Sequence, residues 1–368
     1  MDYFKTLLKN IDKTLLVLPV FFGIISIIMV GSTSYVNHFI ITKDIKVQFA
    51  AYCLGAVALF LVLLFDYKTF ESMEKILYVA SIVLLLAVYI PGLGVSHFGS
   101  RAWINLGPVD MQPSELVKIS FILFFSNYLV KCRGNLITYK GIGMAFLYAS
   151  PFILIILKED LGTAIVMCVI WVTMVFSAGI DYKIFAKLSG VFLICMPLLY
   201  RFMASHQKER IDAFLHPSNL SLAGNYQVWN SKVAIGSGGI LGKGLFQGTQ
   251  KELKFLPVQK SDFIFSVITE ELGMIGGAFV IALYTIFLYR ILKIADNAKD
   301  MYGSLITIGF LAMFGFQIFE NIGMAMGIMP VTGITLPFIS YGGSSVLANM
   351  IALGLVLNVG IRSKTINF

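Results

Sequence analysis

Charge is scarce in this chain. Only 13% of its 368 residues are Asp, Glu, Lys or Arg, where a soluble domain carries roughly 25%. Hydrophobic residues make up 58% and the mean hydropathy is +0.84, so a soluble globular chain is excluded and a multi-span membrane protein is implied. Cysteine is also scarce. Cys53, Cys132, Cys168 and Cys195 are scattered with no CxxC among them, which argues against a disulfide framework or a thiolate metal site. His38, His97, His206 and His216 form neither an i, i+4 pair nor an HExxH, so no zinc site is signalled. There is no internal repeat, which weighs against a transporter built from repeated halves. No small-residue cleavage site follows the basic N-terminal stretch, and the first apolar run is long enough to span, so it is expected to remain as the first helix.

What is present is a series of apolar runs at 14–34, 46–65, 76–92, 114–130, 141–157, 161–179, 184–203, 262–289, 302–328 and 340–361. They predict an all-α, polytopic membrane protein of about ten transmembrane helices, each near the roughly 20 residues a bilayer requires. Residues 1–368 form one domain, with one long loop, about 204–261, between the seventh and eighth helices. The net charge of +8 would suggest nucleic acid in a soluble chain; here the sidedness of Lys and Arg is the informative quantity, and no nucleic-acid partner is expected. With the N-terminus inside, the short inner segments hold Lys5, Lys9, Lys13, Lys68, Lys75, Lys131, Arg133, Lys140, Lys183, Lys187, Arg290, Lys293, Lys299, Arg362 and Lys364, and the short outer segments only Lys43, Lys46, Arg101 and Lys158. That bias puts both termini in the cytoplasm and the polar stretches outside. An outer-face enzyme has no nucleotide sugar or ATP, so it must use a substrate already activated, and a membrane-anchored one would arrive by lateral diffusion.

Asp262 stands where the long loop enters the eighth span, half in lipid and half in water, a costly place for a carboxylate that nothing uses. Ser266, Thr269, Glu270 and Gly273 follow it at helical spacing, a polar stripe that implies a wet groove or a protein contact. In the fourth span Glu115 and Lys118 share a helix face at i, i+3, either as a structural ion pair or with a direct substrate role. Arg101, beside Trp103, is an interfacial anchor or a cation for a phosphate. Asp160 is an N-cap that also adds a carboxylate to the outer face. Arg210 lies in the long loop, and Lys243 in GGILGKG, where glycines would let backbone amides approach an anion; the Walker spacing is absent. Gln317, Glu320 and Asn321 repeat the polar theme in the ninth span, and ITLPFISYGGSS before the tenth is expected to line the same cavity. Gly273 and Gly277 form a GxxxG, and with Gly276, Gly323 and Gly327 they present a small-residue surface that a single partner span could approach.

GPVDMQPSELVKI, KEDLGTA, GNYQVWNSKVAIGSGG, LGKGLFQGTQ, LPVQKSDFIFSVITEELG and GITLPFISYGGSS, in this order, closely resemble the SEDS (shape, elongation, division and sporulation) proteins over nearly the whole chain. GKGLFQGTQ is more similar to the elongation (RodA) branch than to the division (FtsW) branch. The resemblance implies a peptidoglycan glycosyltransferase that polymerises lipid II, on undecaprenyl pyrophosphate, at the outer face of a bacterial plasma membrane, partnered by a class B penicillin-binding protein. It also implies that Asp262 is the family's essential aspartate and that Glu115 and Lys118 are its buried pair. The sequence departs from the family where Leu256, Pro257, Val258, Gln259, Lys260 and Ser261 replace the LPE and His-Thr pattern, and where Glu159-Asp160 replaces Pro-Asp. Lys260, two residues from Asp262, is expected to favour its charged form. The implied inverting transfer needs one base, Asp262, or a metal that Asp262 holds. Charge on the leaving pyrophosphate would be balanced by Arg101, Lys118, Arg210 or Lys243, or by Mg²⁺ or Mn²⁺, with no organic cofactor. The rival reading is a flippase for a lipid-linked precursor.

Overall fold

Apolar runs become helices where a short polar side chain can take up their first free amides. Asp12, Thr42, Thr138, Asp160 and Asp300 each accept a hydrogen bond from the backbone amide three residues on. A computed structural model describes residues 10–33, 41–97, 100–105, 107, 110–187, 190, 194, 200–201, 203, 205–252 and 258–363. Its helices are α1 (Lys13–Ser32), α2 (Lys43–Leu64), α3 (Glu74–Leu86), α4 (Pro113–Cys132), α5 (Tyr139–Glu159), α6 (Leu161–Ser177), α7 (Ser205–Leu215), α8 (Ala223–Gly238), α9 (Ile264–Asp296), α10 (Met301–Met326) and α11 (Gly343–Ser363). Among the described residues six of them, α1, α2, α5, α9, α10 and α11, are long and apolar enough to cross a bilayer, and α6 is a shorter apolar helix. Every expected span except 184–203, which lies largely outside the described residues, coincides with one of these helices. The chain is a polytopic, helical membrane protein. α10 is its centre: it packs on α4, α6, α8, α9 and α11, and Gly309 admits Ile122 of α4 and Met174 of α6 against its backbone.

Two stretches expected as loop are ordered. The stretch that holds Arg101 and Trp103 contributes a three-stranded antiparallel sheet, β1 (Gly94–His97), β2 (Ser100–Asn105) and β3 (Asp110–Met111), in that order. The long loop contains α7 and α8. α8 lies on α9 and α10 because Ser231, fully buried, bonds both: its Oγ meets Ser266 Oγ at 2.6 Å and donates to Ala325 O at 2.6 Å.

The GxxxG of Gly273 and Gly277 is not a surface for a partner helix. Helix α9 is broken at Gly273, whose φ of 68° and ψ of −169° suit glycine alone. The break frees backbone groups at membrane depth, which must be paired. The glycine-rich loop 238–244 pairs them: Met274 N donates to Gly239 O and Ile275 N to Ile240 O, while Glu270 O and Glu271 O accept from Lys243 N and Gly244 N. A Cβ on Gly273 would lie 2.3 Å from Ile240 O. Gly276, Gly277 and Gly323 are likewise covered by the chain's own Leu272, Thr269 and Met329, so the small-residue surface expected to receive a partner is already filled. Gly273→Ala is expected to cost about 3 kcal/mol or more, from backbone strain plus a clash that no rotamer relieves; a thermal melt of the purified variant checks it, and an unshifted midpoint would contradict this account.

Between α10 and α11 the chain is non-helical yet buried, with Ile334, Leu336, Phe338 and Ile339 all under 6% exposed. Such backbone is tolerated only where its polar groups are paired. Tyr284 Oη donates to Pro337 O and Tyr52 Oη to Phe338 O, both at 2.5 Å, and Gln48 Nε2 donates to Ser340 O at 3.0 Å. Phe338 stacks on Phe22 and Phe314, which anchors the segment in the core.

Candidate active site

Asp262 lies in the turn 258–263 that leads into α9. It does not cap the helix: the N-cap is Phe263, with no side-chain capping bond. The turn is held by its carbonyls. Lys260 O accepts from Tyr341 N at 2.9 Å, Ser261 O from Ser340 Oγ at 2.5 Å, and Asp262 O from Asn321 Nδ2 at 2.8 Å. The segment before α11 therefore wraps the turn, and a Cβ on Gly333 would lie 3.5 Å from Asp262 Oδ2.

Burial pushes the Asp262 carboxyl up to about 6; a Ser261 hydrogen bond and the Arg210 charge pull the other way, and Asp160 adds to the rise. The same neighbourhood includes Glu320 of α10, which feels Asp262, Arg210 and Asp160 and bonds the Thr332 hydroxyl. Arg210 Nη1 donates to Thr332 O at 2.7 Å. Asp262, Asp160 and Arg210, widely spaced in sequence, are thus brought together with Glu320 and Thr332. Lys260 does not act on Asp262 as expected: it pairs with Asp44 of α2 at 2.6 Å and lies over the Tyr341 ring.

Asp160 caps α6, accepting from Thr163 N and Thr163 Oγ1, and also from Gln112 Nε2 at 3.0 Å. With Arg101, Tyr89, Ser114 and Glu159 it lines a small cleft of about 30 Å³, whose apolar lining includes Leu85, Val88 and Ile156. Arg101 belongs to that cleft; its Nη2 donates to Ile90 O and its backbone amide to Glu159. Glu115 and Lys118 pair at 2.8 Å with side chains 8% and 2% exposed; Glu115 follows Ser114 directly, and Lys118 lies about one turn further along α4.

Lys243 is elsewhere. Lys243 does meet an anion, but that anion is the Glu270 carboxylate, which accepts from Lys243 Nζ at 2.7 Å and from Thr249 N at 2.9 Å and Gln250 N at 3.1 Å beyond the glycine-rich loop. Glu271 is held beside it by Phe246 N and Ser32 Oγ. The polar stripe behind Asp262 is therefore a contact with α8 and this loop, the second of the two readings the spacing left open. Lys243 is committed to the fold because Glu270, 1% exposed, needs a counter-charge.

Among the described residues, buried oxygens of Ser114, Glu115, Gln317, Glu320 and Asn321 have no hydrogen-bond partner. Buried oxygens of Asn127, Gln250, Gln259 and Tyr302 are likewise without a partner; buried polar atoms are rarely left so, and five of the nine groups belong to α4 and α10 near their Asp262 ends. Glu320 and Asn321 were legible as part of a polar stripe near the end of an apolar helix; nothing in the sequence distinguished Thr332. Among the described residues no three His, Cys, Asp or Glu side chains could jointly hold a metal.

The chain matches the FtsW/RodA/SpoVE family model, described as cell cycle protein, over residues 12–365. It is 36% identical over 367 residues to stage V sporulation protein E of Bacillus subtilis (strain 168), covering 96% of this chain and 98% of that one. It is 34% identical over 304 residues to the peptidoglycan glycosyltransferase MrdB of Escherichia coli (strain K12), covering 82% and 81%. Among solved structures, a chain from a peptidoglycan synthase complex that coordinates polymerization and crosslinking matches with a TM-score of 0.81 at 29% identity, over 96% of this chain and 98% of that one. The Thermus thermophilus rod shape-determining protein RodA matches with a TM-score of 0.69 at 28% identity, over 95% and 96%.

Proposed function

This chain belongs to the FtsW/RodA/SpoVE (SEDS) family, and from that premise we propose that it polymerises lipid II with Asp262 as the base. It is a peptidoglycan glycosyltransferase of the multi-pass membrane type. We assign it to cell elongation on its GKGLFQGTQ stretch and its likeness to RodA. Both termini are cytoplasmic and the site opens outside the plasma membrane, a reading supported by the distribution of Lys and Arg.

One observation carries the mechanism: Asp262 is a partly buried carboxylate in a clamped turn, free of capping duty, with an arginine and two further carboxylates around it. Asp262 takes the proton of the acceptor 4-hydroxyl as that oxygen bonds the anomeric carbon of the donor. The bond from that carbon to pyrophosphate breaks, with inversion, and the proton passes on to the departing phosphate. Arg210, which approaches the same place through Thr332, is the first cation for the leaving group, and Arg101 in the adjacent cleft is the second. Lys118 and Lys243 are neutralised by Glu115 and Glu270 and act through the fold. Magnesium commonly takes one protein carboxylate plus substrate phosphates, so Asp262 alone would suffice as its protein ligand; bound there, Mg²⁺ or Mn²⁺ would balance pyrophosphate charge. By similarity to the synthase complex, the partner is a class B penicillin-binding protein.

The test is labelled lipid II with purified protein, scored for glycan polymer across pH. A base must be deprotonated to accept a proton, so with a carboxyl near 6 the rate should climb about tenfold per pH unit below 6 and level off above it. Labelled lipid crossing vesicle leaflets without polymer would support the flippase instead, and a flat profile from pH 4.5 to 7 would remove Asp262 as the base.

A further inference from the structure

Asn321 is fully buried on α10, and its single amide group spans two segments. Nδ2 donates to Asp262 O at 2.8 Å and to Ile334 O at 2.7 Å, while Oδ1 is buried without a partner. The two carbonyls fix the orientation of the amide, because only the nitrogen end can donate.

We propose that Asn321 is a positioning residue for the Asp262 carboxylate, tying the turn that carries it to the 332–334 segment that forms the facing wall. This inference rests on Asp262 being the base. Of the three donors that clamp the turn, Tyr341 N and Ser340 Oγ reach it from the far end of the segment before α11, and each holds one turn carbonyl. Asn321 holds Asp262 itself and the near end of that segment at once. The near end matters because Thr332 carries two of the charged groups, Arg210 on its carbonyl and Glu320 on its hydroxyl. Moving Ile334 away from Asp262 therefore moves Arg210 and Glu320 relative to the carboxylate. One amide sets the spacing of three charged side chains contributed by α7, α10 and the turn before α9. The groups whose field Asp262 meets are these two and Asp160 at the start of α6.

The experiment uses the full chain in proteoliposomes with labelled lipid II, comparing wild type, Asn321→Ala and Asn321→Ser. A misplacement of about 1 Å can cost about 100-fold in rate, so Asn321→Ala should lose about that factor in kcat per folded molecule. Asn321→Ser, which keeps one donor, should fall between, and serves as the comparison if the alanine variant does not fold. The acid limb of the pH–rate profile should move from its wild-type position by at least half a unit, because burial and the distances from Asp262 to Arg210, Glu320 and Asp160 change together. A purely structural role predicts less folded protein with an unmoved limb and wild-type activity per folded molecule, and that result overturns the proposal. In an Asp262→Glu background the Asn321→Ala loss should shrink, since a carboxylate already displaced has less positioning to lose; full additivity also overturns it. The underlying reading fails separately. Wild type without polymer refutes the glycosyltransferase assignment and this inference with it, whereas an active Asp262→Asn refutes the base.

Discussion

Asp262→Asn is expected to lose about 10²–10⁴-fold in polymerisation rate, the usual worth of a positioned base, while inserting and folding normally. Asn keeps the size and much of the hydrogen bonding but neither accepts the proton nor offers a charge to a cation. The competing account, a helix cap, predicts a near-normal rate because Asn caps as well as Asp, but the cap position belongs to Phe263. The substitution also carries a stability signature. The folded carboxyl sits near 6 rather than at its ordinary 3.8, so the folded state binds the proton more tightly, and ionisation costs stability progressively as pH rises from about 4 through 6. Asn does not ionise, so at pH 7 the variant should melt no lower than wild type. Unchanged polymer yield from purified Asp262→Asn would refute the assignment, whereas loss of activity with a lowered melting point would point to misfolding.

Lys118→Met and Glu115→Gln are each expected to damage function severely, through the fold. Both charges are almost fully buried and 2.8 Å apart. Removing one leaves the other uncompensated in a low-dielectric interior, at about 3–5 kcal/mol. That is a large share of a typical net stability of about 5–15 kcal/mol. Exchanging the two, Glu115→Lys with Lys118→Glu, restores the pair and should recover part of the loss. Cell-shape complementation together with the amount of folded protein reads both steps. Two silent single substitutions would show that the pair is dispensable; full loss in the exchanged variant would show that one member touches substrate.

Spacing along the chain does not distinguish a small-residue surface met by a partner from one the chain covers itself. Gly273 and Gly277 at a four-residue spacing have the same pattern whether a partner helix or the chain itself covers them, and only the positive φ of Gly273 and the loop laid across it decide. Lys243 is similar. A cation among glycines does mark an anion site, but Glu270, 27 positions away, was as plausible in sequence as an external phosphate.

Apolar run length, capping residues and scarce charge determined by themselves that this chain is a bundle of membrane helices, because a bilayer admits few other solutions for an unpaired backbone. The isolated Asp262 at a loop-to-helix junction was legible for the same reason: a charge is costly there. The tertiary structure alone decided which charges remain available to a substrate. Lys118 and Lys243 carry the same charge as Arg210, but each lies within 2.8 Å of a carboxylate, whereas the Arg210 side chain reaches the Thr332 carbonyl beside Asp262. Pairing depends on distance in space, which falls off over a few ångströms, and no spacing along the chain encodes it.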